Sequence, residues 1–338
     1  MIFLDSSGLC ELCGKGNSSA QVKPASESRS QESALNEILH HYQGKGAFQY
    51  DAICLFSGGK DSTYMIHRIQ SEFPRLRLLA YTIDNGFMSP VAKDNMYELI
   101  GKLHVDHIFA RPDKEFYKRL FRYCITHLNE RGGYFTLDFS DGEFMLDSAR
   151  TVAAEKKIPL ILCGYSLYQV QNGLNLHDFE SPRTRELTDR KDTAGLLLTD
   201  IFSNEKDVQR WWHGQSWTPE RVARLLFPLY AWDLEESEIK QKVTEWKLLT
   251  AKAYSPIVTN HQLIPLVGVV DVHRLGYSSF EVEFCRMIRE GKADREEWQY
   301  TFEFLEYAAK TGLFVRKIVV ELLKELDLTA QDVGVKFT

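Results

Sequence analysis

The chain lacks an apolar run long enough to cross a bilayer: its longest apolar stretches are broken by charges or glycines. It also lacks the basic segment that opens a secretory signal, since it begins MIFLDSSGLCELC. Both absences point to the cytoplasm and away from a membrane. Positive charge is not in excess, with 41 Lys and Arg against 47 Asp and Glu and a net charge of −6. Phosphate neutralisation supplies most nucleic-acid affinity, and the basic stretch RTRELTDRK (183–191) carries its own compensating acids. That balance speaks for a small substrate over a tRNA-sized partner. Cysteines are few and scattered, at Cys10, Cys13, Cys54, Cys124, Cys163 and Cys285, which is no disulfide framework. They read as thiols, catalytic groups or metal ligands. Internal repeats are absent too.

What remains is an ordinary globular composition, 44% hydrophobic and 26% charged, in 338 residues, enough for more than one structural unit. Residues 14–35 are rich in Ser, Gly and Gln and read as a mobile linker behind the CxxC-bearing start. Then short apolar runs alternate with helical periodicity. DAICLF (51–56), RLLAYTID (77–84), DHIFARP (106–112) and IPLILCG (158–164) have the length of buried strands. The segments 62–73, 89–105, 115–130 and 144–157 between and around them have helical spacing. The pattern predicts an α/β fold, a parallel sheet covered on both faces. Residues 176–215 are polar and irregular, and from 219 onward the helical signal dominates, PERVARLLFPLY (219–230) included. The expected divisions are 1–45, an N-terminal CxxC segment and linker; 46–175, the sheet domain; and 176–338, a substrate loop and a mainly helical C-terminal region.

Between the first strand and the first helix of that domain stands SGGKDS (57–62). Glycines there let backbone N–H groups approach an anion, and a helix N-terminus adds a favourable dipole. The Walker pattern G-x-x-x-x-G-K-S/T is not met: Cys54 stands where its first glycine belongs, and Asp61 follows the lysine. The Rossmann G-x-G-x-x-G is not met either. The stretch matches S-G-G-x-D-S at every defined position and so resembles the PP-loop of the N-type ATP pyrophosphatases.

That resemblance implies an adenine nucleotide alpha hydrolase-like core with helices on both faces, and ATP with Mg²⁺ as cofactors. The loop grips the pyrophosphate end of ATP, leaving the α-phosphorus open to attack by a substrate oxygen. The products are pyrophosphate and an adenylated substrate, whose AMP then gives way to nitrogen or sulfur. Lys60 contacts the phosphates and Asp61 holds Mg²⁺. Ser57 and Ser62 bind phosphate through hydroxyl and backbone, and Gly58 and Gly59 through backbone. Ligands of open α/β sheets bind at the carboxyl ends of strands, which places Tyr81, Thr82, Ile83, Asp84 and Asn85 near the nucleotide, with Gly164 ending a later strand. Asp84 reads equally as the residue that stabilises the Asn85-Gly86 turn.

Further stretches narrow the likeness. IFLDSSGLCELC (2–13) is similar to the FDxxGxCxxC start of bacterial N-acetyl sugar amidotransferases, enzymes of surface-polysaccharide biosynthesis. LLAYTIDNGFMSPVAKDNM (78–96) and VDHIFARPDKEFYKRLFR (105–122) continue the likeness, which is densest over 50–165. GYSSFEVEFCRMIREGKADREEW (276–298) resembles an EFxxxIRxGKxxREE stretch of related PP-loop proteins. Those relatives carry a second CxxC mid-chain, whereas here YCITHLNERGGYFTLDFSDG (123–142) has Cys124 alone.

Other candidates keep more than one reading. Cys10 and Cys13 read as zinc ligands, completed by His261 or another cysteine, as a sulfur relay, or as two thiols on a tail. Cys124 reads as a small core residue or as a persulfide carrier activated by Arg122 or His127. Cys163, beside Gly164, falls closer to the expected site, while Cys54 and Cys285 read as core. The catalytic set is thus Lys60, Asp61, Cys124 and Cys163. TLDFSDGEF (136–144) reads as an acidic loop in which Asp141 caps the next helix or, with Asp138, Ser140 and Glu143, offers a base or metal ligand. The segment 165–190, with Tyr165, Gln169, Gln171, Asn172, His177, Arg183 and Arg185, reads as a substrate lid or a solvated loop.

Three functions follow. The first is adenylation of a carbonyl or amide oxygen and its replacement by nitrogen, turning an N-acetyl sugar nucleotide into an acetamidino sugar. No glutaminase segment is seen, so ammonia comes from a partner protein. The second delivers sulfur through a cysteine persulfide to a nucleobase, a purine nucleotide or tRNA, with a sulfur-delivering partner. The third is a silent nucleotide-binding protein, against which the intact Lys60 and Asp61 speak. FVRKIVVELLKEL (314–326) reads as a homodimer interface or as core.

Overall fold

The computed structural model describes residues 25–249 and 262–337. Four short apolar runs become β1 (Ala52–Leu55), β2 (Leu78–Ile83), β3 (Asp106–Ala110) and β4 (Leu160–Leu162). Every residue of β1, β2 and β4 is buried, as expected of parallel strands covered on both faces. A small antiparallel hairpin, β5 (Asp192–Thr193) and β6 (Leu196–Leu197), follows in the irregular segment. The fifth strand of the main sheet, β7 (Arg224–Leu226), pairs in parallel with β4. The sheet order is β3-β2-β1-β4-β7, all parallel. The expected α/β architecture is the one found: a parallel sheet with helices on both faces and a helical C-terminal region.

Among the described residues, the helices of nine residues or more are α1 (Ala25–Tyr42), α2 (Lys60–Glu72), α3 (Pro90–Leu103), α4 (Lys114–Thr126), α5 (Phe139–Lys156), α6 (Glu236–Glu245), α7 (Ile264–Leu275), α8 (Glu281–Arg289), α9 (Arg295–Thr311) and α10 (Arg316–Glu325). Met65, Ile66 and Ile69 form the buried stripe that seats α2 on β1. Ser89 caps α3 by accepting from Ala92 N at 3.0 Å, with Pro90 at its first position. α5 crosses β1, β2 and β4. α7 packs against α9 and α10.

Three expectations are corrected. The stretch 25–35 is not linker: it opens α1, which buries Leu35 and Leu39 completely. Their i, i+4 spacing outweighs the polar composition around them. PERVARLLFPLY is not one helix: Arg224–Leu226 is strand, and a short helix starts only at Pro228. Proline favours a first helical position and removes a ladder donor, so strand gives way to helix there. TLDFSDGEF is not a loop: a π-helical turn, Tyr134–Asp138, runs straight into α5, so Asp141 lies in the first turn of α5 and is not its cap.

One hydrophobic core reaches from Leu35 to Val335. A second, aromatic cluster of Tyr134, Phe135, Phe139, Tyr168, Phe280, Phe284, Trp298 and Phe302 ties α8 and α9 to the π-turn before α5. Of the stretch 314–326, Val319, Leu322 and Leu323 are core, while Phe314 and Val320 are exposed. Among the described residues no helix is long and apolar enough to cross a membrane.

Candidate functional site

The sheet order reverses direction between β1 and β4, and ligands of such sheets bind at that crevice beyond the carboxyl ends. The loop Ser57–Gly59 and the first turn of α2 lie there. Gly58 has φ +75°, and a Cβ on it would come within 2.6 Å of Met96 Cγ and 2.9 Å of the Ala92 carbonyl oxygen. Both the dihedral and the close approach require glycine. Ser57 N donates to Ser62 Oγ at 3.3 Å, and Gly59 N to Ser57 Oγ at 3.3 Å. Thr63 Oγ1 donates to Gly59 O at 2.8 Å. The loop's hydroxyls thus tie its shape to its own backbone, and a helix start leaves first-turn amides without intrahelical partners. Gly164, at the end of β4, closes on the loop from the other side: a Cβ there would sit 3.3 Å from Ser62 Cα.

The resulting pocket, 220 Å³, is lined by Ser57, Gly59, Lys60, Asp61 and Ser62, by Thr82 and Ile83 of β2, and by Cys163 and Gly164. Asn85, Asp138, Asp141, Tyr165 and Gln169 complete it. Asn85 Nδ2 donates to Asp141 Oδ2 at 2.7 Å, joining the turn after β2 to α5. Lys60 Nζ is 2.8 Å from Asp61 Oδ2 and 3.7 Å from Glu236 Oε1. Burial pulls the Lys60 ammonium down, but Asp61, Glu236 and Glu283 outweigh it and hold it above its ordinary value. Glu283, of α8, acts on this group through its charge. Tyr134 OH donates to its Oε2 at 3.0 Å and Ser166 Oγ to its Oε1 at 3.3 Å. Burial pushes its carboxyl up to about 7, against the pull of Tyr134 and Lys60.

Not every expected residue meets the pocket. Tyr81 turns the other way, its hydroxyl 2.6 Å from Ser148 Oγ on α5, because successive strand side chains alternate faces. Asp84 is buried: it accepts from Gly86 N at 2.9 Å and pairs with Lys93 at 3.2 Å, so the turn reading describes it. Cys124 is fully buried, with its thiol 3.5 Å from Ser140 Oγ, and burial pushes it up to about 12. Neither Arg122 nor His127 activates it. Cys163 does line the pocket, and burial likewise pushes its thiol up to about 12. Cys54 is buried as expected, whereas Cys285 is exposed on α8. Of the irregular segment, Tyr165 and Gln169 reach the pocket, whereas His177 and Arg183 are exposed. Cys10, Cys13 and His261 lie outside the described residues.

Sequence reading missed Glu236 and Glu283. The signal for Glu283 was present in the EVEFCRMIREG stretch, but nothing local ties it to Lys60. Among the described residues no three His, Cys, Asp or Glu side chains converge as a metal-binding group. A single carboxylate such as Asp61, together with phosphate oxygens, is a usual Mg²⁺ arrangement, and the glycine cradle beside it suits phosphate.

No protein-family model matches the chain. No curated protein matches it in sequence. Among solved structures it is similar to the U34-tRNA thiolase NcsA from Methanococcus maripaludis with its 4Fe-4S cluster, at 13% identity and TM-score 0.39, over 98% of this chain and 89% of that one. It is similar to NMN synthetase from Francisella tularensis, at 11% identity and TM-score 0.41, over 86% and 95%. It is also similar to phosphoadenylyl-sulfate reductase from Candida auris, in a phosphate complex, at 11% identity and TM-score 0.35, over 75% and 93%.

Proposed function

We propose that the chain is an ATP-dependent enzyme that adenylates a carbonyl or amide oxygen of a small molecule, releases pyrophosphate, and replaces the AMP with nitrogen. One observation carries this reading: SGGKDS forms an open, glycine-dependent loop at the β1/β4 switch point, with Lys60 and Asp61 at its mouth. The loop amides and the Ser57 and Ser62 hydroxyls bind the β,γ end of ATP, and Lys60 swings from Asp61 to the phosphates. Asp61 is the residue that would hold Mg²⁺, which supplies charge neutralisation of the phosphates. The acceptor oxygen attacks the α-phosphorus, the bond to the bridging oxygen breaks, and pyrophosphate leaves. Ammonia, supplied by a partner protein, then displaces AMP from the adenylated carbon. An N-acetyl sugar nucleotide or a purine nucleotide fits the acidic net charge better than tRNA does.

Sulfur transfer is the rival. Its favourable observation is Cys163 at the pocket wall. Against it, the thiols of Cys124 and Cys163 are buried and held neutral, which is the wrong state for a sulfur-transferring nucleophile.

The test is pyrophosphate release from ATP in the presence of candidate acceptors. Lys60→Ala is expected to lower it by about 10²-fold or more. Full turnover in that variant, or cleavage of ATP to ADP, refutes the assignment. Cys163→Ser is expected to leave ammonia-dependent turnover intact; its loss would favour sulfur.

A further inference from the structure

A cavity of 960 Å³ lies on the far side of the first turns of α5 from the nucleotide pocket. Asp138, Asp141 and Gly142 face the pocket, whereas Phe139 and Glu143 face the cavity. Phe139 is pressed against Gly173, where a Cβ would lie 1.7 Å from its ring, and this contact forms the wall. Two of the arginines lining the cavity are fully compensated. Arg150 makes a paired contact with Glu186, at 2.6 and 2.8 Å, and a third with Asp147 at 2.6 Å. Arg190 meets Asp147 at 2.9 Å and Glu143 at 3.1 Å.

Arg131 and Arg185 are different. Each gives one N–H to the main chain of the same turn: Arg131 Nη1 to Asn172 O at 2.5 Å, and Arg185 Nη1 to Leu174 O at 2.7 Å. That turn ends a π-helical segment, Gln169–Gly173, a distortion frequent at functional sites. Among the described residues Arg131 has no carboxylate within ion-pair distance, and Arg185 has only Glu143 at 4.0 Å. Burial, then the neighbouring Arg190 and Arg150, hold Arg185 below its ordinary value, and burial does the same to Arg131. The cavity wall also carries Lys191 and the carboxylates of Glu130, Asp189 and Asp192, and Arg131 lies over the Phe135 ring at 3.7 Å. Among the described residues none of those three carboxylates pairs with Arg131 or Arg185, so the two guanidinium groups at this turn keep N–H donors for an anion. Phosphate suits them better than a single carboxylate, because its charge of about −2 balances both forks and its three oxygens accept from both.

We propose that this cavity is a second ligand site, taking a phosphate-bearing small molecule between Arg131 and Arg185. It is distinct from the nucleotide loop and does not depend on adenylation.

The test is calorimetric titration of the full chain with inorganic phosphate at constant ionic strength. Two classes of site are expected in the wild type. Lys60→Ala is expected to remove the loop's class and leave the cavity's. Arg131→Gln, with its melting temperature measured as the control for folding, is expected to weaken the cavity's class about tenfold. Arg131→Gln with Arg185→Gln is expected to remove it, with Arg131→Lys intermediate. Unchanged binding in Arg131→Gln, or loss of all phosphate binding in Lys60→Ala alone, overturns the proposal. Tighter binding of succinate than of phosphate at this site overturns the assigned ligand class.

Discussion

Lys60 Nζ stands 3.7 Å from Glu236 Oε1, joining the loop after β1 to the first turn of α6. Glu236 is only 7% exposed, yet it does not depend on Lys60, because Lys240 Nζ lies nearer at 3.3 Å. Lys60 can therefore turn to a phosphate without stranding a buried carboxylate. Lys240→Met is expected to weaken ATP binding about threefold, since Glu236 would then compete harder for Lys60. Glu236→Gln is expected to act in the opposite direction. Equilibrium ATP titrations of both variants check this, and weakening by both would mean that Glu236 orients Lys60.

Gly58 and Gly44 share a positive φ, +75° and +73°, but differ in their surroundings. A Cβ at Gly44 meets nothing within 4 Å, whereas one at Gly58 meets Ala92 O and Met96. Gly44→Ala is expected to cost about 1–2 kcal/mol from the backbone alone. Gly58→Ala is expected to cost more and to suppress pyrophosphate release, because the loop must move. Urea unfolding and turnover assays on both variants make the comparison. Equal effects would deny the loop its tight packing.

Glu283 gives the fold a pH signature. Its carboxyl is pushed from an ordinary 4.5 up to about 7, so the folded state holds a proton that the unfolded chain has lost. That contribution is complete below about pH 4.5 and disappears as pH rises through 7. Its size is at most on the order of 3 kcal/mol. Glu283→Gln keeps the neutral shape and can still accept from Tyr134. Its melting temperature is expected to fall less than the wild type's between pH 5 and 8. Parallel profiles for the two proteins would show that Glu283 ionises normally.

The buried Asp147–Arg150–Glu186–Arg190 network is expected to be brittle. Arg150→Met leaves Glu186 with Ser181 Oγ at 2.6 Å and no cation bonded to it, for a loss of about 3–5 kcal/mol. Arg150→Met with Glu186→Leu removes both charges and is expected to recover much of that loss. Denaturant unfolding of single and double variants measures it, and a loss below about 1 kcal/mol in the single variant would contradict the network's role.

Much of the sheet could be read directly. β1, β2 and β4 are buried on both faces, and such strands leave unbroken apolar runs such as AICL and LLAYTI. β7 escaped because three residues, RLL, are too few to set a period, and the apolar residues around them mimic helical spacing. Pro228 was the overlooked punctuation. α1 escaped because Ser, Glu and Gln dominate its composition, although Leu35 and Leu39 keep a helical interval. Cys124 looked ambiguous because thiol reactivity depends on burial, and burial is not written beside it.

What the sequence alone determined is the strand–loop–helix unit over 51–72 and the glycine-dependent turn within it. Those properties arise from neighbouring residues: glycine's access to positive φ, a helix start, and serines within reach of adjacent amides. Only the tertiary structure decided what surrounds Lys60 and what Arg131 and Arg185 face. Glu236 meets Lys60, and Glu283 acts on its charge, from helices far along the chain, and Asn172 and Leu174 draw the two guanidinium groups to one turn. Counter-charge and burial are properties of packed, distant segments, and no local spacing encodes them.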